Sequence, residues 1–171
     1  KGPDVSLKHL QRALTMELTT INTYLYQEKQ LDDWGIDRLA ERMREETDEE
    51  RGHASMFLER LLFLDGEADM KTLDEIDKPT SVRGIFETQQ RMELEAREYY
   101  AKAANDCQSA GDLGSFELFM RILKDEEDHI DFVEEPIAVF RENMDETIIR
   151  DGFHSAEDVY RTVDPDGPGP N

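Results

Sequence analysis

A chain of 171 residues is long enough for one domain with a single apolar core. Its formal net charge of -21 sets phosphates against it, excluding nucleic acid and an anionic membrane as partners, and suits a protein that attracts cations or works in concentrated salt. Hydrophobic residues at 37% against charged residues at 36% fit helices with a narrow apolar stripe; the single Cys107 excludes an internal disulfide, and the lack of a long apolar run predicts a cytoplasmic protein.

Leu7, Leu10, Leu14, Leu18, Ile21, Tyr24 and Leu25 recur at threes and fours and predict a first helix from about Asp4 or Ser6 to Asp33. The chain turns at Trp34-Gly35, where Trp34 anchors the hairpin, and a second helix is expected from about Ile36 to Leu64, closed by Asp65-Gly66 with the glycine at the C-terminal cap. Residues 65 to 80, with Pro79, are too many for a tight turn. At about 3.3 Å each they reach roughly 50 Å, enough to run the length of a bundle. Thr80-Ser81 offers an N-cap for a third helix from about Ser81 to Ser109, and Ser109-Ala110-Gly111 turns into a fourth from about Asp112 to Asn143. Pro136, two turns past His129, predicts a kink in that helix. Short helical segments are expected near Asp145 to Arg150 and Ala156 to Thr162, and the Pro- and Gly-rich stretch Asp164 to Asn171 reads as disordered. The fold class is therefore all-α: an antiparallel four-helix bundle plus short fifth helix over residues 1 to 150, with a long crossover between helices two and three, and a partly disordered extension over 151 to 171.

The chemistry lies in a repeat. Glu17, Glu50 and His53 return as Glu93, Glu126 and His129, each displaced by 76 residues, and in both halves the lone glutamate precedes its Glu-x-x-His pair by 33 residues. Met16, Leu18 and Tyr24 also return as Met92, Leu94 and Tyr100. Because each hairpin turns at a glycine midway between its own glutamates, both arms rise by roughly 24 Å and bring the second glutamate level with the first. Each Glu-x-x-His pair shares one helix face. Four carboxylates and two imidazoles on one level form the inward-facing donor set of a di-iron or di-manganese bundle. An acid-rich chain with 41 Asp and Glu residues yields one Glu-x-x-His on a solvated face readily, but two at a common offset are a far stronger signal. Burying the four acids without cations would also be costly.

The runs Met16-Glu17-Leu18 with Ile21-Asn22-x-Tyr24, Asp48-Glu49-Glu50 with His53-Ala54, Glu59 to Gly66, and Ile122-Leu123-x-Asp125-Glu126-Glu127-x-His129-Ile130-Asp131 resemble bacterioferritin over about residues 5 to 145. The resemblance implies a ferritin-like fold and a ferroxidase centre of Glu17, Glu50, His53, Glu93, Glu126 and His129, with Glu50 and Glu126 bridging two iron ions per subunit. It also implies Fe(II) and dioxygen or hydrogen peroxide as reactants, and storage of iron as mineral in a homo-oligomeric shell of 24 subunits. Bacterioferritins hold haem between subunits through a methionine directly after the glutamate of the first Glu-x-x-His. Here that place is Arg51, whose guanidinium cannot ligate haem iron, so no methionine-ligated haem is expected and Met56 reads as packing. Glu45 and Glu49 stand where the family often has an inner-surface iron site, and both keep oxygen donors for it. Phe132 replaces the tryptophan that many members carry near the centre.

Around the six, Tyr24 and Tyr100 each lie two turns beyond a lone glutamate on the same face. Either hydrogen-bonds a ligand carboxylate or supplies an electron during oxygen reduction, against the plainer reading of a buried tyrosine. Glu49 and Asp125 could accept the free N–H of a metal-bound histidine, the competing reading being solvated carboxylates. His9 and His154 show no partner pattern and read as surface residues. Two alternatives keep the bundle but not storage: a di-iron oxygenase or hydroxylase, which needs an apolar substrate pocket, and a peroxide-scavenging protein related to rubrerythrin, whose cysteine-rich segment one Cys cannot build.

Overall fold

The computed structural model describes the backbone of residues 1 to 143 and the side chains of residues 1 to 128. Four helices fill it: α1 (Asp4–Asp33), α2 (Asp37–Phe63), α3 (Val82–Ser109) and α4 (Leu113–Asn143). α1 packs mainly on α2 and α3 on α4, with α1 against α3 joining the two hairpins, so the expected all-α bundle is what forms. The short fifth helix, the turn near Ala156 and the C-terminal tail lie outside the described residues. α4 runs through Pro136 as one helix to Asn143.

Three helix ends share one device. After α1, Gly35 N–H bonds to Asp32 and Ile36 N–H to Leu31; after α3, Gly111 bonds to Gln108 and Asp112 to Cys107; both glycines take a φ of 76°, which a side chain would strain. α2 ends the same way, with Asp65 N–H on Leu62 and Gly66 N–H on Leu61, but Asp65 rather than Gly66 takes the left-handed φ of 56°. The expected capping glycine is therefore one residue too late. Gly66 is fixed instead by space, since a Cβ there would come within 2.8 Å of Leu7 Cδ2 and 3.2 Å of Leu61 Cδ2. Ser81 caps α3 by accepting the Gly84 N–H at 3.0 Å, as the sequence predicts.

The crossover between α2 and α3 climbs α1 in step with it. Asp69 exchanges two hydrogen bonds with Gln11, Asp74 accepts from Arg12 and donates its N–H to Thr19, and the Pro79 carbonyl accepts from Gln30. From Gln11 to Gln30 that is roughly 28 Å of helix, so the segment carries the chain from one end of the bundle to the other. Arg91 of α3 holds it from the far side through Asp77. Consequently α3 starts beside the end of α1, and the two hairpins face each other antiparallel.

The interior divides in two. One apolar cluster gathers Tyr24, Leu31, Ile36, Leu39, Met43, Ile85 and Phe86; the other gathers Leu10, Leu14, Phe57, Leu61, Tyr100, Phe119 and Ile122. Phe57, Tyr100 and Phe119 stack there with ring centroids 5.2 to 5.8 Å apart. In chain order along α1, Glu17 falls between Leu14 and Tyr24, one from each cluster, so its carboxylate is held where apolar packing ends.

Candidate metal centre

Glu17 of α1, Glu50 and His53 of α2 and Glu126 of α4 are all buried, and each presents a ligand atom within 4.8 Å of the others. Glu93 of α3 is as deeply buried and lines the same 240 Å³ cavity as Glu17, Glu50 and Glu126. Of the six residues selected by spacing, four thus converge in one cluster and Glu93 shares their cavity. The side chain of His129 lies outside the described residues.

His53 shows which nitrogen faces the cluster. Its Nδ1 lies 3.3 Å from both Glu50 and Glu126 and 3.7 Å from Glu17, while Nε2 sits 3.0 Å from Asp125 on α4. A carboxylate at Nε2 favours a proton on that nitrogen, which makes Nδ1 the nitrogen that could hold a cation. Glu49 is exposed on α2.

The two tyrosines are exchanged between hairpins. Tyr24 of α1 donates to Glu93 of α3, and Tyr100 of α3 donates to Glu17 of α1, both at 2.6 Å and both fully enclosed. Helical period predicts the face of each tyrosine but not its partner, and this crossing is absent from the sequence reading. Burial and the adjoining carboxylates raise both phenol pKa values well above the ordinary range, so each hydroxyl remains a donor.

Crowded acids strain the cluster electrostatically. The Glu17 carboxyl is pushed well above its usual pKa, first by burial and then by Glu50. Burial by itself lowers the His53 pKa, but its bond to Glu50 and the charges of Glu17 and Glu50, aided by Asp125, outweigh it and hold the imidazole at about 9. Protons here do what cations would do better. Three hard carboxylates and one imidazole suit Fe(II), Fe(III) or Mn(II), and the donor set therefore fits the expected iron.

Several residues stand apart. Glu45 is exposed and pairs with Arg42 at 3.1 Å, and Arg51, after Glu50, is exposed on α2. Met56 packs against the second apolar cluster. Contrary to the surface role expected of it, His9 is only 7% exposed: it is bound between Tyr99 and Asp106 of α3. The available signal was its place two turns before Glu17 on the same inward stripe of α1.

The family model for the ferritin-like domain matches residues 7 to 142. Bacterioferritin of Brucella melitensis is 36% identical over 134 residues, covering 78% of this chain and 83% of that protein. Bacterioferritin of Streptomyces coelicolor is 32% identical over 169 residues, covering 99% of this chain and 98% of the relative. Among solved structures, Rhodobacter capsulatus bacterioferritin, described with a metal-free dinuclear site and haem iron, superposes with a TM-score of 0.80 at 34% identity over 82% of this chain and 88% of that one. A duplicated hairpin, a buried carboxylate and histidine cluster on its midline and these likenesses together settle the assignment: the chain belongs to the ferritin-like family and, within it, to the bacterioferritins.

Proposed function

We propose that the chain oxidises Fe(II) to Fe(III) with dioxygen or hydrogen peroxide at a dinuclear centre inside the bundle, in the cytoplasm, and stores the product as mineral within a shell of 24 subunits. The observation that carries this reading is the convergence of Glu17, Glu50, His53 and Glu126 within 4.8 Å. Glu93 and His129 complete the set by the repeat, with Glu50 and Glu126 bridging. Two ferrous ions supply the electrons, and the protein supplies geometry and charge. Carboxylates favour the trivalent product over the divalent substrate, Tyr24 and Tyr100 orient Glu93 and Glu17, and Asp125 fixes the His53 tautomer. The cavity beside the cluster is lined largely by Glu, Asp and Thr, which suits hydrated cations and disfavours the apolar substrate of an oxygenase. Glu45 and Glu49, exposed on α2, are proposed to meet iron on the inner surface.

Arg51 leaves methionine-ligated haem without its ligand, and no role is assigned to that group. Metal analysis with stopped-flow oxidation tests the centre. Two irons bind per chain, a fast phase consumes them, and Glu93→Ala loses that phase, while haemin added to the same preparation gives no methionine-ligated spectrum. A fast phase unchanged in Glu93→Ala would refute the assignment.

A further inference from the structure

A half-buried polar cluster lies outside the centre. His9 is held at both nitrogens, Nε2 at 2.8 Å from Asp106 Oδ2 and Nδ1 at 2.7 Å from the Tyr99 hydroxyl. The bond from Lys102 holds the Asp106 carboxyl below its usual range, so Asp106 accepts, and the His9 tautomer that donates to it from Nε2 leaves Nδ1 as an acceptor facing the Tyr99 hydroxyl. Nδ1 then accepts the Tyr99 proton. A tyrosine bonded to a base that is itself backed by a carboxylate can lose an electron without leaving a cationic phenol, because its proton has somewhere to go.

Tyr99 is also placed between the centre and solvent. Its ring lies 6.4 Å from that of Tyr100, which bonds to Glu17 of the cluster. On its other side Tyr99 is half-buried and lines an open cleft of about 390 Å³ with Arg12, Met16, Glu95, Glu98 and Lys102. An electron leaving Tyr99 can thus reach the ligand shell through one intervening ring, and a reductant can reach Tyr99 from outside.

We propose that Tyr99, with His9 as its proton acceptor and Asp106 behind it, is an electron relay that serves the centre through Tyr100. The proposal rests on the ferroxidase reading. Its use is clearest when peroxide meets a centre holding one Fe(II). Cleaving the O–O bond to water takes two electrons, and the iron gives one. Tyr99 gives the other, passing its phenolic proton to His9 Nδ1; with two further protons from solvent, H2O2, one Fe(II), the tyrosine and His9 become two waters, one Fe(III), a neutral tyrosyl radical and an imidazolium. An Fe(II) ion arriving at the cleft then reduces the radical, the proton returns from His9, and that ion leaves as Fe(III). The sum is two Fe(II) oxidised per peroxide, with no hydroxyl radical released. Glu95 and Glu98 give the cleft oxygen donors suited to the arriving cation.

The test loads the assembled protein with one Fe(II) per chain, adds hydrogen peroxide, and reads freeze-quenched electron paramagnetic resonance beside spin-trapped hydroxyl radical. Wild type is expected to give a tyrosyl signal and little trapped radical. Tyr99→Phe, which keeps the ring, loses the signal and traps more hydroxyl radical. His9→Gln, which can still hydrogen-bond but cannot take the proton, loses the signal as well, and Tyr26→Phe on the exposed surface of α1 changes neither reading. A tyrosyl signal of equal yield in Tyr99→Phe overturns the relay, as does loss of thermal stability in His9→Gln with both readings at the wild-type level. Fast oxidation of two Fe(II) per chain by dioxygen is followed in the same samples. If that phase is present while the signal ignores Tyr99, only the relay fails; if wild type lacks it, the centre itself is misread and the relay falls with it.

Discussion

His53 is drawn toward the cluster carboxylates by one nitrogen and toward Asp125 by the other, and its pKa of about 9 follows from that position. In protein stripped of iron by a chelator, this raised value stabilises the fold. The contribution is fully present below the unfolded value of about 6.5 and is lost as pH rises through 9. Glu17, also raised, loses its share in the same direction. The melting temperature of chelated protein should therefore fall between pH 6.5 and 9, and His53→Gln should flatten that slope; a slope equal in both would contradict the placement of His53. Iron competes for the same nitrogen and should reverse the trend, since lower pH protonates its ligand. The meeting of Glu17 and Glu50 in one cluster was legible because helical period and a fixed offset lock them to one level. The crossed partners of Tyr24 and Tyr100, and the burial of His9, were not. Period states which face a residue takes, whereas a partner across the bundle depends on how two helices are rotated against each other.

Helix ends carry the next level of information. Ser81 was readable as a cap because a hydroxyl before a helix can satisfy an orphan N–H, and it does so for Gly84. Ser81→Ala should cost about 1 kcal/mol of stability in denaturant unfolding, with iron oxidation unchanged; a loss indistinguishable from zero would deny the cap any weight. Gly35 and Gly111 were legible as turns on the same local grounds. Asp65 was not, because aspartate tolerates the left-handed region while Gly66 beside it looks the better candidate. Length and a single proline revealed the crossover, yet its course was set by tertiary bonds that no local pattern contains. Arg12 with Asp74, Gln11 with Asp69 and Gln30 with Pro79 are side-chain meetings between segments some fifty to sixty residues apart.

At the scale of the whole molecule, the isolated chain leaves apolar side chains in water. Phe63 is 75% exposed and Leu62 beside it 59%, at the end of α2, while Leu113 at the start of α4 is 59% exposed. Such groups are what a subunit surface uses. Light scattering should give a mass near 24 copies, and Phe63→Glu should shift the protein toward smaller species with its helix content intact; a monomeric wild type would remove the shell from the reading. Composition gave the net charge of -21 but not its use, since cation attraction and life in concentrated salt call for the same excess of acid. Assembly was expected only through the resemblance, and which side chains lie exposed for it was not legible, because exposure is a property of the folded surface. Within one subunit, the tyrosine bonds cross between hairpins. Each half supplies the phenol that the acid of the other half receives, so this pair of bonds closes only when the two halves meet.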